Sequence, residues 1–181
     1  MQRFLTLVTE SAKEIYDQDK LEKFISFIEK APRIFLVGIG RSGLVAKAFA
    51  MRLMHLGYKA FVIGETITPR IEDGDLLIAI SGSGETGYVV AIAKKAKEIG
   101  AKVVAITSAE NSKLSKLSDF SIILKNRFGR EVRDIAPMGT LFEVIALIFL
   151  DGTVAEIMEK KNLREEDLAK RHAIENEVKV C

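Results

Sequence analysis

DLLIAISGSGETGYVVAIAKKAKEIGAKVVAIT, residues Asp75 to Thr107, carries the pattern that decides the fold. Leu76 to Ile80 is a short apolar run of strand type that passes without a spacer into Ser81-Gly82-Ser83-Gly84-Glu85-Thr86. A periodic apolar segment bearing lysines follows as a helix ending at Gly100, and Val103 to Ile106 is a further β-branched run. Strand, tight loop, helix, strand is the unit of a parallel sheet. It places the loop at the carboxyl end of its strand and at the start of a helix. The first N–H groups of a helix lack intrahelical partners and point at whatever fills the crevice. Glycines allow close approach of the backbone, and Ser81, Gly82, Ser83 and Thr86 form a wall of hydroxyls and bare backbone for which phosphate is the natural guest. The same residues also suit a plain turn in which Ser83 or Thr86 caps the helix.

Working outward, the unit repeats. Ile34 to Val37 is a strand, Gly38-Ile39-Gly40-Arg41-Ser42-Gly43 its loop, and Leu44 to Leu56 a helix closed by Gly57. Ala60 to Ile63 is the next strand, leading into Gly64-Glu65-Thr66-Ile67-Thr68-Pro69, and Asp73-Gly74 turns the chain into Leu76. Beyond Thr107, Ser112 to Leu117 reads as a short helix and Phe120 to Leu124 as a fifth strand. Short strands separated by helical crossovers predict a three-layer α/β domain with a parallel sheet covered on both faces. Residues 1–30 read as one or two amphipathic helices, 125–136 show no clear element, and an apolar helix runs from 137 to 150 and on past Gly152 toward Met158. Arg164 to Val178 suggests a last helix with Asn162 as its cap. The 181 residues fit one domain, with the terminal helices, 1–30 and about 137–178, packing on the core or on a partner subunit.

The totals narrow the function. A formal charge of +2, with acidic and basic residues mixed on the polar faces and no basic tail, argues against nucleic acid. No apolar run reaches membrane-spanning length and the first residues read as a helix rather than a signal peptide, so the expectation is a cytoplasmic protein. Cys181 is the only cysteine, and His55 and His172 are the only histidines, which leaves no intrachain disulfide and a poor ligand set for metal.

GIGRSG, residues 38–43, permits two readings. It satisfies G-x-G-x-x-G after a strand, and Glu65 stands at the end of the next strand where a ribose-binding carboxylate would be, so a nicotinamide dinucleotide site is one. Against it, Arg41 and Ser42 put a charge and a hydroxyl in the loop, which suits a terminal phosphate or sugar hydroxyls. With SGSGET projecting at the same sheet edge, one small ligand would meet two converging walls, with Gly40, Arg41 and Ser42 on one side.

Taken together, GIGRSG, RLMHLG, GETITP, SGSGET and PMGTLFE resemble the sugar-isomerase (SIS) domain family, and within it the 6-phospho-3-hexuloisomerase branch. The resemblance covers essentially the whole chain. It implies a five-stranded parallel sheet in an αβα sandwich, assembly as a homodimer or homotetramer, and interconversion of 3-hexulose 6-phosphate with fructose 6-phosphate without a cofactor. It also implies a place in formaldehyde fixation by the ribulose monophosphate pathway, beside a hexulose-phosphate synthase. It carries phosphate binding onto Ser42, Ser81, Ser83 and Thr86, and puts Glu143 and a histidine near the reacting carbons. Related isomerases often complete the site across subunits.

Moving a carbonyl from C3 to C2 requires removal of the C2 proton, a 2,3-enediol, and return of a proton at C3. Glu143 is the leading base, a carboxylate in an apolar segment where desolvation would raise its pKa. Thr140-Leu141-Phe142-Glu143 also matches the S/T-x-x-E capping box, which would tie Glu143 to its helix start instead. His55, on the helix face of Leu44, Ala48 and Met51, reads either as a core histidine or as an acid/base. His172, beside Arg171, competes with it. Glu65 and Thr66 are candidates for lining the sugar channel. The run Arg127, Arg130, Arg133 reads as a solvated or interface loop rather than a phosphate clamp. Other phosphosugar isomerases, such as one acting on arabinose 5-phosphate, and a non-catalytic phosphosugar-binding regulator remain alternatives beside the nicotinamide reading.

Overall fold

Ile34–Val37 (β1) and Leu76–Ile80 (β3) contain no polar residue, and every one of their side chains is buried. That is the mark of strands covered on both faces. In the computed structural model, which describes residues 1–15, 17–125 and 130–172, they are the centre of a five-stranded sheet. Ala60–Val62 (β2), Lys102–Thr107 (β4) and Phe120–Ile123 (β5) complete it in the order β2-β1-β3-β4-β5, all parallel. Ile34 stands opposite both Ala60 and Leu76, and Leu76 opposite Lys102, so the strands begin level along one edge.

Side-chain alternation divides the sheet between two cores. Leu36, Ile78, Ile80, Val104 and Ile106 face helices α1 (Gln2–Glu14), α2 (Gln18–Lys30), α3 (Arg41–His55) and α7 (Thr140–Lys160). Phe35, Val37, Leu77, Ala79, Val103 and Ala105 face α4 (Gly87–Ile99) and α5 (Lys113–Leu117). This is the αβα sandwich expected. Phe24 and Phe49, both buried, stack with centroids 6.2 Å apart where α2 meets α3. At the amino edge the Arg33 guanidinium forks onto buried Asp75, donating from Nε at 3.0 Å and from Nη2 at 2.6 Å, which ties the start of β1 to the start of β3.

Several boundaries differ from the sequence reading. α3 begins at Arg41, because Gly38 and Gly43 nest against each other; a Cβ on Gly38 would lie 2.6 Å from the Ser42 carbonyl oxygen. α7 starts at Thr140 rather than 137, and it runs on through Gly152 as expected, the glycine being exposed while Thr153 and Val154 beside it are buried. Residues 130–135, where no element was expected, form a short helix, α6 (Arg130–Ile135). Its charged sequence hides the positions that pack on the α2/α3/α7 core, Val132, Ile135 and, just past its end, Ala136. The last described helix, α8, is Glu165–Ala169, and Asn162 does not cap it. Asn162 adopts φ 51° after α7, and Asp167 accepts the Arg164 N–H at 3.1 Å instead. The remainder of the helix expected to Val178 lies outside the described residues. Among the described residues no helix is long and apolar enough to cross a membrane.

Candidate active site

The strand order reverses between β1 and β3: β1 is followed outward by α3 and β2, and β3 in the other direction by α4 and β4. Loops leaving such a pair diverge and open a crevice at the carboxyl edge. A cavity of about 520 Å³ lies there. Ser42 lines it from the start of α3, Ser81 to Ser83 and Thr86 from the loop after β3, Ser108 from the end of β4, and Glu143 from the first turn of α7.

The SGSGET loop is braced from within. The Ser81 and Thr86 hydroxyls share a hydrogen bond at 2.9 Å, the Gly84 N–H reaches Ser81 Oγ at 3.2 Å, and the Glu85 N–H reaches Ser83 Oγ at 3.2 Å. Ser108 Oγ donates to the Gly82 carbonyl at 2.6 Å, holding β4's exit against the loop. Gly84 sits at φ +64°, and a Cβ there would collide with the Ser112 side chain. Glu85 turns away from the cavity, accepting from the Lys113 N–H at 2.8 Å and pairing with Lys113 Nζ at 2.9 Å. Thr86 is the residue before α4 and its side chain makes no capping bond, so the cap half of the alternative fails, while the turn is present in the bonds that Ser81 and Ser83 accept from the loop.

Glu143 is the acidic side chain among the cavity's described lining, and its side chain is 14% exposed. Gly139, at φ 84°, precedes α7, and the Thr140 hydroxyl donates to the Pro137 carbonyl at 2.6 Å rather than back to the helix. The capping box therefore does not form, and the carboxylate is left for the cavity. Arg41 crosses from α3, donating to Thr140 Oγ1 at 2.8 Å and approaching Glu143 Oε2 to 3.3 Å. That oxygen is buried and has no aligned hydrogen-bond donor among the described residues. Burial pushes the Glu143 pKa up, and the Arg41 charge opposes the shift.

The expected residues do not all meet. Ser42, Ser81, Gly82, Ser83, Thr86 and Glu143 line one cavity; Gly40, at φ 59°, starts α3 beside it, and Arg41 bridges to Glu143. Glu65 and Thr66 are exposed and off the lining, with Glu65 paired to Lys47 Nζ at 2.6 Å. His55 and His172 lie elsewhere. α3 starts at the cavity and His55 ends it, which at 1.5 Å per residue is roughly 20 Å away. There its ring, 3% exposed, stacks on His172 with centroids 4.9 Å apart. Helical spacing does put His55 on the face of Leu44 and Met51, but those two residues are exposed, and only His55, at the end of the face, is buried, with His172 stacked on it. Within the chain neither histidine reaches Glu143. Ser108 and Arg133, both on the lining, were not read as site residues. Ser108 follows the fourth strand directly, a position that the switch-point geometry would have singled out.

The comparisons with known proteins agree with this architecture. Residues 27–146 match the SIS domain family. A Methanocaldococcus jannaschii protein named 3-hexulose-6-phosphate isomerase is 47% identical, over 88% of this chain and 88% of its own. A Bacillus subtilis protein of the same name is 40% identical over 86% of each chain. A crystal structure from Methanococcus jannaschii, for which a 3-hexulose-6-phosphate isomerase function was inferred, superposes with a TM-score of 0.86 at 43% identity, covering 93% of this chain and 97% of that one. By sequence, by sheet order and by the placement of its two glycine-bearing loops, this chain belongs to the SIS domain family.

Proposed function

We propose that this chain is a 6-phospho-3-hexuloisomerase, interconverting D-arabino-3-hexulose 6-phosphate and D-fructose 6-phosphate. The observation that carries the reading is the half-desolvated Glu143 carboxylate, facing across the cavity a loop of hydroxyls and glycines at the start of α4. The names borne by relatives at 40–47% identity support the choice of substrate.

The phosphate is held by Ser81, Ser83 and Thr86 with the loop's N–H groups, and Ser42 adds a donor from the opposite wall. Glu143 takes the proton from C2 while the C3 carbonyl oxygen gains one, giving the 2,3-enediol. The carboxylic acid then returns a proton to C3 as the C2 hydroxyl gives up its own and becomes the carbonyl. No electrons leave the sugar, so the step requires no redox partner. Arg41, already against Glu143, opposes the rise that burial gives its pKa and is placed to polarise a sugar oxygen.

Proton traffic between the two oxygens calls for a further acid/base, and we assign it to His55 or His172 of a neighbouring copy. α3 and α7 run parallel, as Arg41 beside Glu143 and Arg52 beside Asp151 (3.6 Å) require. Leu44, Met51 and Met54 on α3 and Leu147 and Ile148 on α7 leave an apolar band exposed along the pair. A second copy on this band brings its His55/His172 end near the first copy's cavity. A hexulose-phosphate synthase is the fitting supplier of substrate.

The test mixes purified protein with 3-hexulose 6-phosphate and follows fructose 6-phosphate. Glu143→Gln should lower kcat about 10²- to 10⁴-fold with modest change in substrate affinity. Undiminished turnover by that variant would remove Glu143 as the base. A folded wild-type protein that binds phosphosugar but makes no fructose 6-phosphate would sink the reading.

A further inference from the structure

We infer that Arg133, on α6, supplies the positive charge that balances the substrate's phosphate. A sugar phosphate brings close to two negative charges. The loop that would cradle it offers hydroxyls and N–H groups, which are neutral donors. Arg41 is committed to Thr140 and Glu143, and Lys113 to Glu85. Arg133 also lines the cavity, is exposed, and has no hydrogen bond or ion pair among the described residues. α6 presents it there for a mechanical reason: Val132 and Ala136 are drawn to the core beside the cavity, and Arg133 follows Val132 round the helix. A planar five-donor fork on a tethered helix suits a phosphate, and one charge-assisted pair is worth more than the neutral hydrogen bonds around it. Arg127, from the same run, and the side chain of Arg130 lie outside the described residues.

The inference rests on the phosphosugar reading, so its test separates the two. Binding of inorganic phosphate is measured by calorimetry, and KM and kcat with 3-hexulose 6-phosphate, on wild type, Arg133→Gln and Arg133→Lys. Arg133→Gln should raise the phosphate Kd and the KM together, about tenfold or more, with kcat within about threefold of wild type, and Arg133→Lys should recover part of the loss. Equal phosphate affinity in wild type and Arg133→Gln overturns the assignment, even if KM rises, because the side chain would then touch the sugar instead. Absence of phosphate binding to the wild type overturns it as well. Weakened phosphate binding in a protein that turns over no hexulose phosphate would sink the isomerase reading and leave Arg133 in place.

Discussion

Glu143, the base proposed above, is also a local liability. Burial holds its pKa above the ordinary carboxylate value of 4.5, so the native state binds its proton more tightly than the unfolded chain does. The stability linked to this group is therefore fully present below pH 4.5 and declines as pH rises through the raised native pKa. Catalysis has the opposite requirement, since the base must be ionised, and kcat/KM should fall as pH drops through that same raised value. Glu143→Gln is thus expected to hold or raise the neutral-pH Tm while turnover collapses; a marked drop in Tm in a thermal melt would show a structural role. His55 behaves with the other sign. Burial, His172 and Arg52 lower its pKa below 6.5, so its contribution is present above 6.5 and is lost as pH falls through the native value. His55→Gln should lose less Tm than wild type between pH 7 and pH 5, and parallel losses would refute the assignment of that pH dependence to this ring.

At the scale of elements, the shape of the SGSGET loop depends on Gly84 more than on any hydroxyl. An alanine there would need a left-handed backbone and would displace Ser112, the cap of α5, whose hydroxyl accepts from the Ser115 N–H at 3.2 Å. Gly84→Ala should cost about 2 kcal/mol or more and abolish phosphate binding. Gly87→Ala is the control, because nothing lies within 4 Å of a Cβ at that position; its Tm should match or exceed that of wild type. Equal denaturation midpoints for the two variants would contradict the packing described for the loop. This element was readable in the sequence: SGSGET between an apolar run and a periodic helix allowed little else. α6 was not, because its core contacts, Val132, Ile135 and the adjoining Ala136, are interleaved with charges and no long helical stripe emerges. The capping-box alternative at Thr140 likewise matched in sequence and failed in space, since the hydroxyl turned to Pro137.

For the whole molecule, the exposed band on α3 and α7 and the distance of the histidines from Glu143 lead to one expectation. Leu44→Asp or Met51→Asp, at positions 66% and 49% exposed, should leave the monomer folded, reduce its sedimentation coefficient, and lower kcat. A wild-type protein that sediments as a monomer at full activity would end the shared-site proposal. Complementation is the sharper form. Glu143→Gln and His55→Gln proteins, each inactive, should regain activity on mixing and subunit exchange if each site draws on two copies.

The sequence by itself determined the sheet, its parallel strands and the two loops at its carboxyl edge. Those follow from local periodicity and from glycines whose close packing is fixed within a few residues of one another, as at Gly38 and Gly43. Only the tertiary structure decided which side chains share a cavity. Arg41 meets Glu143 and Thr140 across about a hundred residues, His55 is carried away from them by the length of its own helix, and Arg133 reaches the cavity lining because its apolar neighbours seat α6 on the core. Each of these is set by how elements pack on the sheet, and packing between distant segments leaves no periodicity in the chain for a reader to find.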